Sequence, residues 1–218
     1  INVSASNHAQ KDRQPSKGNI YAFAIGLAGA SGAYSTTELD FATVITIADD
    51  ANLTATSDNE ADGITISALN NLSIYDKVSL NAYGALAGTG ATVKVYDNQL
   101  LAQVSVGKRA ELTSSGDINI SARGNGTVVT NLESDSGGAI TVTVTDNSVN
   151  ITPENIVFID QAAMLTAYGN MNLSAGTDTE FNRDKYKVHA IVDTFAGSVI
   201  PAESANASAT LRQTNTNT

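Results

Sequence analysis

The stretch Ile118-Asn-Ile-Ser-Ala122 decides how the chain is read. Close copies of it stand at Ile1-Asn-Val-Ser-Ala5, Ile64-Thr-Ile-Ser-Ala68 and Met171-Asn-Leu-Ser-Ala175. Alternating apolar and polar residues are what any half-buried strand needs, so five residues alone prove little. The flanks prove more. Before residue 118 the chain reads Val104-Ser-Val106, three residues, Ala110-Glu-Leu112-Thr113-Ser114 and a Ser-Gly-Asp turn. The later copy reads Val157-Phe-Ile159, three residues, Ala163-Met-Leu165-Thr166-Ala167 and Tyr-Gly-Asn. The earlier copy reads Ile45-Thr-Ile47, three residues, Ala51-Asn-Leu53-Thr54-Ala55 and a longer acidic loop.

The pentapeptides begin at residues 1, 64, 118 and 171, hence 63, 54 and 53 residues apart. A near-constant period with variation confined to turns is the signature of a repeat protein. The units run over about residues 20–68, 70–122 and 123–175, with a truncated unit at 176–218. Because residue 1 falls inside a pentapeptide, the chain is expected to open on the tail of a preceding unit and to be a fragment of something longer. The whole of 1–218 is read as one repeat body, since dividing such an array into globular domains is artificial.

Composition agrees. Cys and Trp are absent and there are only 3 Pro, while short Val, Ile and Leu pairs alternate with Gly, Ala, Ser, Thr, Asn and Asp. Strand and turn chemistry dominates. Without Cys there is no disulfide framework and no thiolate metal site. The formal charge is −10 with only 12 Lys and Arg spread along the chain, which argues against nucleic acid as a partner. The most apolar run, residues 20–33, is too short to span a bilayer and is rich in Gly and Ala; it reads as a small-residue strand or a short packed helix.

Short alternating strands, small neighbours and Gly turns in fixed register are satisfied by stacked parallel coils with Leu and Ile inside and equivalent residues in ladders. The expected fold is all-β, a right-handed parallel β-helix with loop excursions, about two coils to each unit. An antiparallel sandwich could use the same strands but would not require the same sequence in unit after unit. The ladder positions are Leu53, Leu112 and Leu165, then Ile64, Ile118 and Met171, then Ile66, Ile120 and Leu173. Asn119 and Asn172 share one slot, where stacked amides can hydrogen-bond along the ladder. Asp97-Asn98 and Asp146-Asn147 read as matching turns after strands. From residue 198 onward the strand pattern is lost.

The Ala-x-Leu-Thr-Ala/Ser segment, the Gly-Asp or Gly-Asn turn and the closing pentapeptide, best seen at residues 110–122 and 163–175, resemble the haemagglutinin-type repeats of large filamentous exoproteins exported by two-partner secretion in Gram-negative bacteria. Unit length and the Gly/Ala-rich excursion look most like the leukotoxin-type filamentous adhesins. The resemblance covers about residues 40–176. It implies a secreted or cell-surface location, a cognate outer-membrane transporter for the parent protein, and attachment to a host-cell surface or matrix component.

Candidate chemistry is sparse. Asp49 and Asp50 with Glu60 and Asp62 could gather carboxylates for Ca²⁺ or acid/base work. The positions aligned with Asp49-Asp50 are Lys108-Arg109 and Gln161-Ala162, which is how solvated turns vary. His8 and His189 have no second His or Cys at ligand spacing. No catalytic, cofactor or metal motif emerges, and the chain reads as a non-enzyme, an adhesive scaffold; the alternatives are a pure structural spacer of a surface filament and a β-helix polysaccharide lyase or hydrolase. Recognition is expected on loops carried by a rigid scaffold, at residues 6–18, 56–63, 125–138 and 177–187.

Overall fold

Alternation of inward and outward residues extends much further along the chain than the repeated pentapeptide does. In the computed structural model, which describes residues 1–12, 19–56, 63–177 and 183–218, every element is a strand. In chain order these are β1 (Asn2–Lys11), β2 (Ile20–Ile25), β3 (Ala28–Ile47), β4 (Asn52–Ala55), β5 (Ile64–Tyr83), β6 (Leu86–Val106), β7 (Glu111–Ser114), β8 (Ile118–Ile151), β9 (Glu154–Ile159), β10 (Met164–Ala167), β11 (Met171–Ala175), β12 (Tyr186–Leu211) and β13 (Thr214–Asn217). All strand pairings are parallel. No described helix is long and apolar enough to cross a membrane.

The register follows the repeat. Ile64 pairs with Ile118, and Ile118 with Met171. Leu53 pairs with Leu112, and Leu112 with Leu165. The chain therefore lies in four layers, residues 1–56, 63–114, 118–167 and 171–218, each pairing with the next. One repeat unit makes one layer. The expected two coils of short strands are replaced by long strands, of 20 residues in β5, 21 in β6 and 34 in β8.

Each layer travels out along one limb, bends, and returns facing itself. In layer two, β5 leads out, the bend lies at Gly84 and Ala85, β6 returns and β7 closes the end. The facing is read from the interior. Ile64, Ile66 and Ala68 of β5 share one buried cluster with Val104 and Val106 of β6 and Leu112 of β7. Further out, Leu72 and Ile74 meet Val95 and Leu100. Nearer the bend, Val78 and Leu80 meet Ala91 and Val93.

Between these apolar sections the limbs are linked by polar side chains. The Thr43 Oγ1 donates to Asn70 Oδ1 at 2.6 Å, and Thr130 Oγ1 to Asn147 Oδ1 at 2.7 Å. Around the bend, Ser134 donates to Thr89, and Ser136 and Thr143 hydroxyls lie 3.1 Å apart. Paired hydroxyls and amides satisfy one another, so inward positions need not be aliphatic for the strand to continue.

That is why several expected breaks are strand. Residues 125–138, read as a loop, lie inside β8, with Val128, Thr130, Leu132, Ser134 and Ser136 buried at alternate positions. Residues 198–211 belong to β12 and 214–217 to β13, so the tail remains strand in the outermost layer although its residues are almost all exposed and no longer alternate. Residues 20–33 form β2 and the start of β3, the small-residue strand and not the helix. Asp146 and Asn147 are not a turn: Asn147 is buried in β8 and pairs in register with Val93, whereas Asn98 is the extra residue of a bulge opposite Leu39 and Asp40.

Candidate functional site

The repeat positions are structural. Ile64, Ile66, Leu112, Ile118 and Ile120 are fully buried, and Leu53 and Leu165 pack half-buried against them. Met171 and Leu173 lie in the outermost layer and are 43% and 38% exposed for want of a covering layer. Asn119 and Asn172 stack on the outer face, where the Asn172 amide donates to Asn119 Oδ1 at 2.8 Å.

The acidic corner resolves into a turn. Asp50, Arg109 and Ala162 stand above one another with φ near +57 to +59°, the left-handed conformation that sharpens the corner. Asp49 Oδ1 accepts the Lys108 N–H at 2.9 Å. The Arg109 guanidinium makes two bonds of 2.6 Å to Asp50 and holds its exposed carboxyl below the usual range. Glu60 and Asp62 lie outside the described residues, as do parts of the loops expected at residues 6–18, 56–63 and 177–187.

The most promising recognition surface lies on the outer face of the outgoing limb. Outward residues alternate there, so equivalent positions form rows across the layers. His8 pairs with Asn71 and Asn71 with Asn125, and the Lys185 N–H donates to Asn125 Oδ1 at 3.1 Å. The adjacent row is Gln10, Ser73, Thr127 and Lys187. Between the rows runs an open groove of about 490 Å³ that carries both lysines, the His8 ring and the Asn and Ser/Thr side chains. Residues 13–18 follow one end of it in sequence and 178–182 precede the other.

Beneath the groove the interior passes from Leu72 and the Tyr186 ring to the polar Asn70 and Asp184. Gly124 and Gly126 have no side chain: a Cβ at Gly124 would strike the Tyr186 hydroxyl, and one at Gly126 would meet the Leu72 Cβ and crowd the Tyr186 ring. Burial pushes the Tyr186 hydroxyl pKa up, and the neighbouring Asp184 adds to this. Asp184 Oδ2 accepts three bonds, from Gly124 N at 3.0 Å, Asn155 Nδ2 at 2.8 Å and Gln213 Nε2 at 3.0 Å. Desolvation nonetheless raises its pKa to about 6, against the lowering effect of those bonds and of Arg123. Asp184 thus ties the start of β12 to layer three and fixes where Lys185 and Lys187 emerge.

A second buried carboxylate was missed in the sequence. Asp76 is fully buried, bonded to Ser35 Oγ and Lys11 Nζ at 2.7 Å each, and its Oδ1 has no hydrogen-bond partner among the described residues. A signal existed: in Leu72-Ser-Ile74-Tyr-Asp76-Lys-Val78, the aspartate takes the inward parity. The same parity marks Asp184 in Asp184-Lys-Tyr186-Lys-Val188, and its neighbours come from β8, β9 and the residues before β13.

The groove combines two ammonium groups with amides and hydroxyls repeated at the interlayer spacing of about 4.8 Å. Such an arrangement suits hydroxyl-rich or anionic ligands, since it offers donors in a row and local positive charge on an acidic molecule. No family model, curated protein or solved structure matches the chain.

Proposed function

We propose that the chain is a segment of a right-handed parallel β-helix from a secreted, haemagglutinin-type filamentous adhesin, of the leukotoxin-like group, exported through a cognate outer-membrane transporter. It holds a rigid scaffold and attaches to a host-cell surface or matrix component. The observation that carries this reading is the identity of repeat unit and layer. Across layers two and three, and from Ile118 to Met171, paired strands are offset by the 53 or 54 residues of the period, so further units would extend the body along one axis without altering its cross-section. The offset rises to between 58 and 63 residues where 13–18, 57–62 or 178–182 fall between the paired positions. Recognition elements on a uniform rod are the general logic of an adhesive filament.

The groove is the proposed contact. Flow cytometry of labelled protein on epithelial cells and leukocytes tests it, with Lys185→Glu/Lys187→Glu as the comparison. Saturable binding that falls at least tenfold in the double variant, with an unchanged melting temperature, is the expected outcome. A stably folded protein that binds neither cell type makes the segment a spacer and overturns the adhesive reading.

A further inference from the structure

The outer face of the returning limb differs in kind from the groove. Close to the bend, three outward positions in each of four layers carry no ionisable group. In layer three these positions are Ile140, Val142 and Val144, which are 40%, 48% and 54% exposed. They form a ridge. In layers one and two the corresponding inner rows are Ala30 beside Gly88 and Gly32 beside Gly90, which form a trough. A depression of about 400 Å³ lies there, floored by Ala30 and Gly88 and walled by Leu86, Ile140 and Val142.

We propose that this face pairs two copies of the chain side by side about a twofold axis, the ridge of each copy seated in the trough of the other. Three observations select a second copy as the occupant. A twofold contact requires one patch to hold both a protrusion and a matching recess, and here they are neighbours in the same sheet. Two copies at a formal −10 each repel one another over most of their surface, and this uncharged face lets them approach without desolvating charge. The area is also of the right order for a weak pair. Three rows about 7 Å apart and four layers about 5 Å apart give a face of roughly 400 Å² per copy. The total of about 800 Å² is near half of a standard stable interface, so association is weak for one pair and adds up only where several such faces lie along the same body.

Sedimentation velocity across about 5 to 500 µM tests the pairing, at low and at high NaCl. The expected result is a monomer–dimer equilibrium that strengthens with salt, because screening removes the repulsion between acidic copies while leaving the apolar contact intact. Val142→Glu places a carboxylate in the ridge and is expected to weaken dimerisation at least tenfold; Val142→Thr, which keeps the branched shape and strand preference, gives an intermediate loss. Ser148→Glu, on the same limb beyond the patch, leaves the dimer unaffected. A wild-type chain that stays monomeric at every concentration overturns the proposal, as does a dimer indifferent to both Val142 variants. Binding to phosphatidylcholine vesicles without self-association assigns the face to lipid and overturns it equally.

Discussion

The two ends of each layer are built on opposite principles. At the closing end, where β5, β6 and β7 meet, the interior is aliphatic and three limbs converge on Ile64, Ile66, Val104, Val106 and Leu112. At the bend the hydroxyls of Thr89, Ser134, Ser136 and Thr143 share the interior with Leu80 and Ala82, and the apolar side chains Leu86, Ile140 and Val142 stand outside. The closing end is stabilised by volume that fills space. The bend is stabilised by volume that is missing: a Cβ on Gly84 would collide with the Gly26 carbonyl, and one on Gly138 with the Gly84 carbonyl. Large-to-small changes should therefore damage the closing end more than the bend, whereas small-to-large changes damage the bend and also the closing corner, where a Cβ on Gly63 would meet the Asp117 carbonyl.

Ile120→Ala is the severest test at the closing end. Ile120 is fully buried and stacked between Ile66 and Leu173, so its removal leaves a cavity that the paired layers cannot close. A loss of about 2–5 kcal/mol in urea unfolding is expected. A loss below about 1 kcal/mol means that the closing end repacks freely, and the contrast with the bend fails.

At the bend the corresponding test is Gly138→Ala, with an expected loss of about 1–3 kcal/mol, because the obstructing atom is a backbone oxygen and no side chain can rotate away. The hydroxyl interior should feel this change only indirectly. If Gly138→Ala proves neutral in the same urea titration, the bend is open enough to accept a Cβ and the glycines there are not required by close approach.

This division also explains how much of the molecule was legible in its sequence. The pentapeptide and the Ala-x-Leu-Thr segment repeat because aliphatic ladders at Leu53, Leu112 and Leu165 and at Ile66, Ile120 and Leu173 demand one size and shape in each layer. All-β architecture, the period and the corner at Asp50, Arg109 and Ala162 followed from that end. Toward the bend the demand is looser. Ser, Thr, Asn and Ala all serve at inward positions, so the same register is kept by different residues and no repeat is visible. Gly124-Asn-Gly126 and Gly137-Gly138 bracket residues 125–138 with turn-like sequence, whereas the first glycines make room for Tyr186 and Leu72 and the second pair sits at the bend. The outgoing groove was only partly legible: its lysines stood in a charged segment, but His8, Asn71 and Asn125 come together only through pairing of β1, β5 and β8.

The smallest expected effect concerns the polar section beneath the groove, which lies between the two extremes, and it is read as a change with pH. Asp184 has a folded-state pKa of about 6 against 3.8 ordinarily, chiefly through desolvation. The folded chain therefore holds this proton more tightly than the unfolded chain. The resulting stabilisation is fully present below about pH 4 and is lost as pH rises through about 6, so that at neutral pH the buried carboxylate is a liability. Partial solvent contact limits its size. Asp184→Asn keeps an oxygen for the Gly124, Asn155 and Gln213 donors and mimics the neutral acid. Its melting temperature should exceed that of the wild type at pH 7.5 and match it at pH 4, other titrating groups being common to both. A difference that stays constant between the two pH values would mean that Asp184 is solvated like a surface carboxylate. The start of β12 would then be held by its neutral hydrogen bonds alone, and the middle of the layer would behave like the bend, where hydroxyls and amides satisfy one another without any charge.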